Sequence, residues 1–369
     1  MQKTAHPHPA WIEINLAQLK ENIRIIREFV APAKVCLAVK ANAYGHGLVP
    51  TSQAAVEGGM DYLAVSCLQE GAILREAGIQ VPILVLGAIH EDQIGELVNY
   101  QLEITIASLY KAQLVAHYCE LLGKKCRVHV EVDTGIRRTG VRAQSAKELV
   151  AYLQAKKCFE VVGIYSHFAG AEKRDEPLAK QQIVEFLSLT EQLPPMMRHL
   201  ANSNGVLYFK ESHLDLVRVG VLAYGYLPED APEKLQGIKP CFSLKSKVGY
   251  FKVVSSGTGI SYGHTYVTDK QTRIITVPVG YGDGYRRSLS NKASVIVRGK
   301  RFPIAGTVCM DQLMVDVGDQ EVYVGDEVIL IGGEGEASVP VMEIVNLCET
   351  IPNEILTAFG ERIPRVYIP

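Results

Sequence analysis

The 369-residue sequence is poor in the features that would direct it to nucleic acid, to a membrane or to an oxidising compartment. Its net charge is only −2 and its isoelectric point is near 6.6, so no basic surface is encoded for a nucleic acid or an anionic bilayer. No stretch approaches the roughly 18 apolar residues that a membrane span requires. The amino terminus, Met-Gln-Lys-Thr-Ala-His-Pro-His-Pro, holds no apolar leader core. Cysteines stand at Cys36, Cys67, Cys119, Cys126, Cys158, Cys241, Cys309 and Cys348, yet none forms a Cys-x-x-Cys pair or a zinc-spaced cluster, so no metal is expected. They read as reduced core residues of a cytoplasmic protein. Cys309 differs from the rest, lying in Gly-Thr-Val-Cys-Met-Asp-Gln beside other polar candidates. Repeats, low-complexity tracts and charged tails are also missing. Small molecules remain as the expected partners, with no nucleic acid and no membrane.

What the chain does have is apolar mass, 47% of its residues, and a length beyond one small core, so two domains are expected. From Val35 it alternates short buried strands with helical stretches. The strands are expected at Val35–Ala41, Tyr62–Cys67, Pro82–Gly87, Ile104–Ser108, Arg127–Asp133, Val161–Phe168, Arg198–Ser203 and Leu216–Val221. Repeated β/α units of this kind predict a closed parallel barrel of the TIM type. An open doubly wound sheet is the alternative, but no Gly-x-Gly-x-x-Gly follows the first strand. Past Ile238 the pattern becomes strands and glycine-rich turns, with Phe242–Val254 as one strand, Val341–Ile351 as a helix and Arg362–Ile368 as a closing strand. The fold class is therefore α/β: a (β/α)8 barrel over residues 12–237 and a mostly antiparallel β domain over 238–369. The leading strand, within residues 1–14, is expected to join the second domain.

One stretch carries the chemistry. In Val35-Cys-Leu-Ala-Val-Lys-Ala-Asn-Ala-Tyr-Gly-His-Gly47 an apolar strand delivers a single lysine, Lys40, to its carboxyl end. A lone lysine there ordinarily snorkels to solvent. Barrel chemistry, however, sits where strands end, and phosphate sits after the seventh and eighth. Strand five leads into Asp133-Thr-Gly-Ile-Arg-Arg138 and strand six ends at His167. Strand seven ends at Ser203, and strand eight holds Arg218 before Gly220 and Val221. Taken singly, His167 reads as a core histidine and Ser203 as a helix cap. Arg218 is an obligate cation in an apolar strand and needs an acceptor or an anionic ligand. A lysine, a phosphate cradle and a barrel together point to pyridoxal phosphate held as a Schiff base.

The motifs around these residues are Val39-Lys40-Ala-Asn-Ala-Tyr44-Gly-His-Gly, Asp133-Thr-Gly with Arg138 and Gly140, Ser166-His167-Phe-Ala and Ala201-Asn-Ser203. They continue with Arg218-Val-Gly-Val, Ser261-Tyr262-Gly-His-Thr, Val279-Gly-Tyr281-Gly-Asp-Gly and Cys309-Met310-Asp311-Gln. In this order, from about Trp11 to the carboxyl terminus, the chain resembles the bacterial alanine racemases. The resemblance implies a pyridoxal 5′-phosphate enzyme that interconverts L-alanine and D-alanine by a two-base mechanism, supplying D-alanine for peptidoglycan. Lys40 would be the base on one face of the substrate and Tyr262 the base on the other. Return of the proton to the same face would only regenerate the starting enantiomer. Tyr262 would come from the partner subunit of a homodimer with shared sites. A tyrosine ordinarily titrates near 10, so a neighbouring positive charge is required, and His167 between Tyr262 and Arg218 would couple it.

By the same resemblance Tyr44, Ser203, Gly220 and Val221 would hold the phosphate. Arg218, with donors only, would face the ring nitrogen, leave it unprotonated and favour racemisation over transamination. Arg138 and the Met310 N–H would bind the substrate carboxylate, Tyr281 and Arg287 would line the entrance, and Asp311 would orient the site. Two positions depart from the family pattern. Glu131 stands where many members carry a carbamylated lysine, and is expected to position Arg138 directly. Glu361 stands where some members place a phosphate-binding tyrosine, and is expected to point away. A serine or broad-specificity racemase, a noncatalytic pyridoxal phosphate-binding protein and a decarboxylase of the same fold type are the alternatives. The noncatalytic proteins lack the domain that carries Tyr262, and the decarboxylases place an acidic residue at Arg218.

Overall fold

The structure is a computed structural model that describes residues 8–369. Residues 1–7, where the missing leader and the start of the leading segment were read, lie outside the described residues. The chain divides into two units. One holds Gln18–Ala43 and Gly47–Pro240; the other combines the chain up to Ala17 with Tyr44–His46 and Cys241–Pro369.

The first unit is the barrel. Its eight parallel strands are Lys34–Ala38, Tyr62–Val65, Ile83–Val85, Glu103–Ile106, Cys126–Asp133, Phe159–Tyr165, Met197–His199 and Leu216–Val219. They pair in chain order, and the eighth returns to pair with the first, Val217 opposite Val35. The seventh and eighth are joined by Asp215 N–H to Arg198 O at 3.1 Å and Arg218 N–H to Ala201 O at 2.9 Å rather than by a full ladder, so the barrel is nearly closed. Strands such as Tyr62–Val65 and Ile83–Val85 are buried at every position, as parallel strands covered on both faces must be. The helix Leu16–Val30 turns Leu19, Ile23, Ile26 and Val30 inward at helical spacing. Observed strands end two to four residues before several expected ends, because the loops that leave the barrel mouth begin earlier than apolarity alone suggests.

The second unit is the antiparallel domain. One sheet runs in the order Lys300–Pro303, Ser294–Val297, Glu327–Glu334, Phe242–Lys247, Trp11–Asn15, Arg365–Ile368. Trp11–Asn15 is antiparallel to Phe242–Lys247 and parallel to Arg365–Ile368. A three-stranded sheet holds Tyr250–Val254, Thr272–Val277 and Leu313–Asp316. The single strand expected at Phe242–Val254 is thus two strands in two sheets. Val248 N–H bonds Asp326 O and Gly249 N–H bonds Thr276 O, both at 2.9 Å, so the chain changes sheet at that pair. The expected helix Val341–Ile351 ends at Cys348, where Glu349 turns left-handed, and a second helix, Pro352–Thr357, follows with proline in its first turn.

Among the described residues no helix is long and apolar enough to cross a membrane, no three His, Cys, Asp or Glu side chains could hold a metal, and all eight cysteines are free.

Candidate active site

Lys40 leaves the first barrel strand into a turn that sequence periodicity does not announce. Ala41, Asn42, Ala43 and Tyr44 all have φ between 52° and 55°, a single turn of left-handed backbone built without glycine. Each such residue costs about 1–2 kcal/mol relative to right-handed backbone. Specific bonds hold it: Ala43 N–H to Val39 O at 2.8 Å, Gly47 N–H to Asn42 O at 2.9 Å, Leu48 N–H to Asn42 Oδ1 at 2.8 Å and Ala41 N–H to Glu70 Oε1 at 2.6 Å. Strain retained at such cost fits a functional position.

Three cations feel one another at the barrel mouth. Burial, then Arg138, then Arg218 pull the pKa of Lys40 down from its usual value, against an opposing pull from Glu70. His167 is pushed down to about 3 by burial, Arg218, Arg138 and Lys40, and is therefore neutral. Arg218 lies 5% exposed over the Tyr165 ring, 4.8 Å from its centroid. Its two terminal nitrogens donate to His199 O at 2.9 Å and Ser166 O at 2.7 Å, and NH2 stands 3.4 Å from His167 Nδ1. Its Nε makes no hydrogen bond among the described residues.

Ser203 opens the helix Ser203–Tyr208 after Asn202, whose side chain caps it by accepting from Gly205 N–H at 2.9 Å. The Ser203 hydroxyl oxygen accepts from Gly220 N–H at 3.0 Å and from Leu222 N–H at 3.3 Å, which leaves its own proton to donate. Gly220 is thus bonded to Ser203, and the N–H of Val221 has no partner among the described residues. Arg138 lies exposed on a loop shaped by Asp133, which accepts from Gly135 N–H at 2.9 Å and Arg137 N–H at 3.0 Å. Gly140 closes that loop at φ 105°, where a Cβ would stand 2.5 Å from Asp133 N. Glu131 is buried and does not bond Arg138; it accepts from Thr139 Oγ1 at 2.8 Å, the residue next to it. Burial raises its pKa against the pull of Thr139, Arg218 and Arg138.

In the second unit Tyr262, Met310 and Asp311 line one depression of about 500 Å3. Tyr262 is 73% exposed. Its backbone is fixed by Ser261 Oγ donating to Thr307 O at 2.6 Å and Thr307 Oγ1 donating to Tyr262 O at 3.0 Å. Tyr281 joins this group through its N–H to Cys309 O at 3.0 Å, an approach that needs Gly280, whose Cβ would stand 2.3 Å from two carbonyl oxygens. Arg362, which sequence reading left unassigned, ties the two loops together, Nε to Asp283 at 3.2 Å and NH2 to Asp311 at 2.8 Å. Tyr44 is buried in this unit, its phenol pushed up to about 12 by that burial, while Glu361 is exposed.

The comparisons follow the same division. Residues 14–228 match the family model of the alanine racemase N-terminal domain, and residues 241–367 that of the C-terminal domain. The chain belongs to the alanine racemase family. It is 42% identical to the alanine racemase of Desulforamulus reducens, over 98% of this chain and 99% of that protein. It is 38% identical to that of Methanococcus maripaludis, over 98% and 99%. The crystal structure of alanine racemase from D-cycloserine-producing Streptomyces lavendulae superposes with a TM-score of 0.93 at 33% identity, covering 99% of this chain and 98% of that one. That from Bacillus anthracis with bound L-Ala-P gives 0.91 at 33% identity, over 99% and 96%.

Proposed function

We propose that the chain is a pyridoxal phosphate-dependent alanine racemase that acts in the cytoplasm as a homodimer and supplies D-alanine for peptidoglycan. The observation that carries the reading is the pairing of Lys40, its pKa lowered by burial and two arginines, with the buried Arg218 at one barrel mouth. The donor set suits the cofactor. Ser203 keeps a hydroxyl proton and Val221 an N–H for a phosphate, and Arg218 keeps an Nε–H for a ring nitrogen.

Bound to Lys40 through its aldehyde, pyridoxal phosphate would supply a ring that withdraws electrons from the substrate's α-carbon. The chain's own residues do the rest. Lys40, with its depressed pKa, takes or returns the α-proton on one face. Tyr262 of the partner subunit does so on the other, and its high exposure in the single chain suits a residue offered to a second copy. Arg138 and the Met310 N–H bind the carboxylate, with Tyr281 at the entrance. Neutral His167 sits beside Arg218 and passes its field toward the tyrosine, and Asp311, held by Arg362, keeps the Met310 turn in place. Glu131 acts on Arg138 through Thr139 and through its charge.

The test is purified protein with pyridoxal phosphate and either enantiomer of alanine, serine or lysine, followed by chiral analysis. Interconversion of alanine is expected; none would refute the reading, and equal rates on serine would make it a broad-specificity enzyme.

A further inference from the structure

Behind Arg218 lies a second set of buried groups that the reaction above does not use. Glu103 begins the fourth barrel strand, His129 lies within the fifth, His199 ends the seventh and Arg218 is in the eighth. They stand in series. Arg218 NH1 is 2.9 Å from His199 Nδ1, His199 Nε2 is 2.9 Å from His129 Nδ1, and His129 Nε2 is 2.7 Å from Glu103 Oε2. Glu103 Oε1 accepts from Arg127 Nε at 2.6 Å. Both histidines are fully buried and Glu103 is 1% exposed. The rings cannot turn freely, since Tyr165 stacks on His199 at 4.8 Å and Tyr62 meets His129 edge-on at 6.4 Å.

Donor counting fixes every proton in the series. Arg218 can only donate, so His199 Nδ1 must accept and the His199 proton sits on Nε2. That proton is donated to His129 Nδ1, so the His129 proton also sits on Nε2 and goes to Glu103. A doubly protonated His129 would force His199 to carry its proton on Nδ1, facing an arginine N–H. The direction of donation therefore runs one way, from Arg218 to Glu103, and both histidines are neutral. Burial and then the Arg218 charge pull the pKa of His199 well below its usual value, in agreement with a neutral ring there. Burial pushes the Glu103 carboxyl up, but the bonds from His129 and Arg127 outweigh it and hold the group ionised.

We propose that Glu103, His129 and His199 are positioning residues whose one-way series of hydrogen bonds holds Arg218 as a fixed donor toward the cofactor's ring nitrogen. The proposal rests on the reading that Arg218 faces that ring. An arginine free to rotate would let the ring nitrogen take a proton, lengthen the life of the α-carbanion and allow transamination to compete with racemisation. An arginine whose NH1 is held by both His199 Nδ1 and His199 O keeps its plane.

The first test is made on the cofactor-free protein labelled with 15N-histidine, with His129→Asn and His199→Asn supplying the assignments. Both rings are expected as single Nε2–H tautomers; a proton on Nδ1 of either ring would overturn the series, whatever the protein's activity. The second compares keto acid released per racemisation turnover. His199→Leu removes the acceptor, and the ratio should rise about tenfold, the scale on which outer partners act. His199→Asn keeps an acceptor near the position of Nδ1 and should bring the ratio back toward wild type. Glu103→Leu leaves Arg127 its bond to Glu160, so the outer ion pair survives. In that variant the His129 Nε2 proton loses its acceptor, the far end of the series is no longer anchored, and the ratio should rise. An unchanged ratio in both leucine variants would overturn the proposal. A wild-type protein that does not racemise alanine would sink the function instead, and the tautomer result would still decide the series.

Discussion

Thr139, the residue that follows Arg138, donates its hydroxyl to the buried carboxylate of Glu131 at 2.8 Å. The carboxylate thus shapes the loop that carries the arginine instead of gripping the guanidinium. Glu131→Gln keeps an acceptor but removes the charge that Arg138 feels, and Thr139→Val removes the donor. Steady-state kinetics should show the KM for alanine raised about tenfold in either variant, the size of a hydrogen bond to a charged group, with a smaller change in kcat. Unchanged kcat and KM in Glu131→Gln would remove Glu131 from the site.

Ser203 joins the seventh strand's loop to the eighth's through two accepted N–H bonds. Ser203→Ala strands both donors and deletes the hydroxyl proton proposed for the phosphate. Fluorescence titration of the cofactor-free protein should show pyridoxal phosphate affinity weakened by about tenfold or more. An unaltered Kd would place the phosphate elsewhere.

The barrel and two of the cations at its mouth were legible because charge stands out against apolar strands: Lys40 follows five buried residues, and Arg218 interrupts Leu-Val-x-Val. Four features were not legible. Left-handed backbone at Ala41 and Ala43 is carried by residues that favour right-handed helix, so its cause is tertiary, in Glu70 and Asn42. Glu103, His129 and His199 each look like an ordinary strand residue, and only closure of the barrel puts them in series. The same holds for Arg362, whose partners lie 79 and 51 positions away in sequence: 362 − 283 and 362 − 311. The break at Val248–Gly249 was missed because both halves are apolar and only the partner strand differs.

The turn after Lys40 also makes a prediction about stability. Ala41 is exposed, so replacing it with glycine removes no packing but relieves left-handed strain. Ala41→Gly should raise the unfolding free energy by about 1 kcal/mol while lowering kcat, since the lysine is held less firmly. Denaturant unfolding and turnover on one preparation measure both. A loss of stability would show that the turn is not strained.

Neutral His167 makes stability depend on acid. Its pKa is about 3 in the fold against about 6.5 in an unfolded chain, so between those values the unfolded state binds a proton that the fold refuses. The contribution is fully present above pH 6.5 and is lost as pH falls toward 3. Between pH 7 and pH 5 the cofactor-free protein should lose about 2 kcal/mol through this residue. His199, shifted in the same direction, adds to the loss. Unfolding free energies from urea titrations at the two pH values should draw closer in His167→Gln by about that amount; an unchanged difference would mean that His167 titrates normally in the fold.

Tyr262 stands exposed on the second unit while Lys40 sits at the barrel mouth. If each site takes its lysine from one protomer and its tyrosine from the other, Lys40→Ala and Tyr262→Ala are each inactive for different reasons. A mixed dimer of the two then has one site with both defects and one with neither. Unfolding and refolding an equimolar mixture gives mixed dimers in half the population, so racemase activity should return to about a quarter of the wild-type value. Neither variant refolded alone should recover. If the mixture stays as inactive as its components, both bases come from the same chain, and Tyr262 is not the partner's contribution.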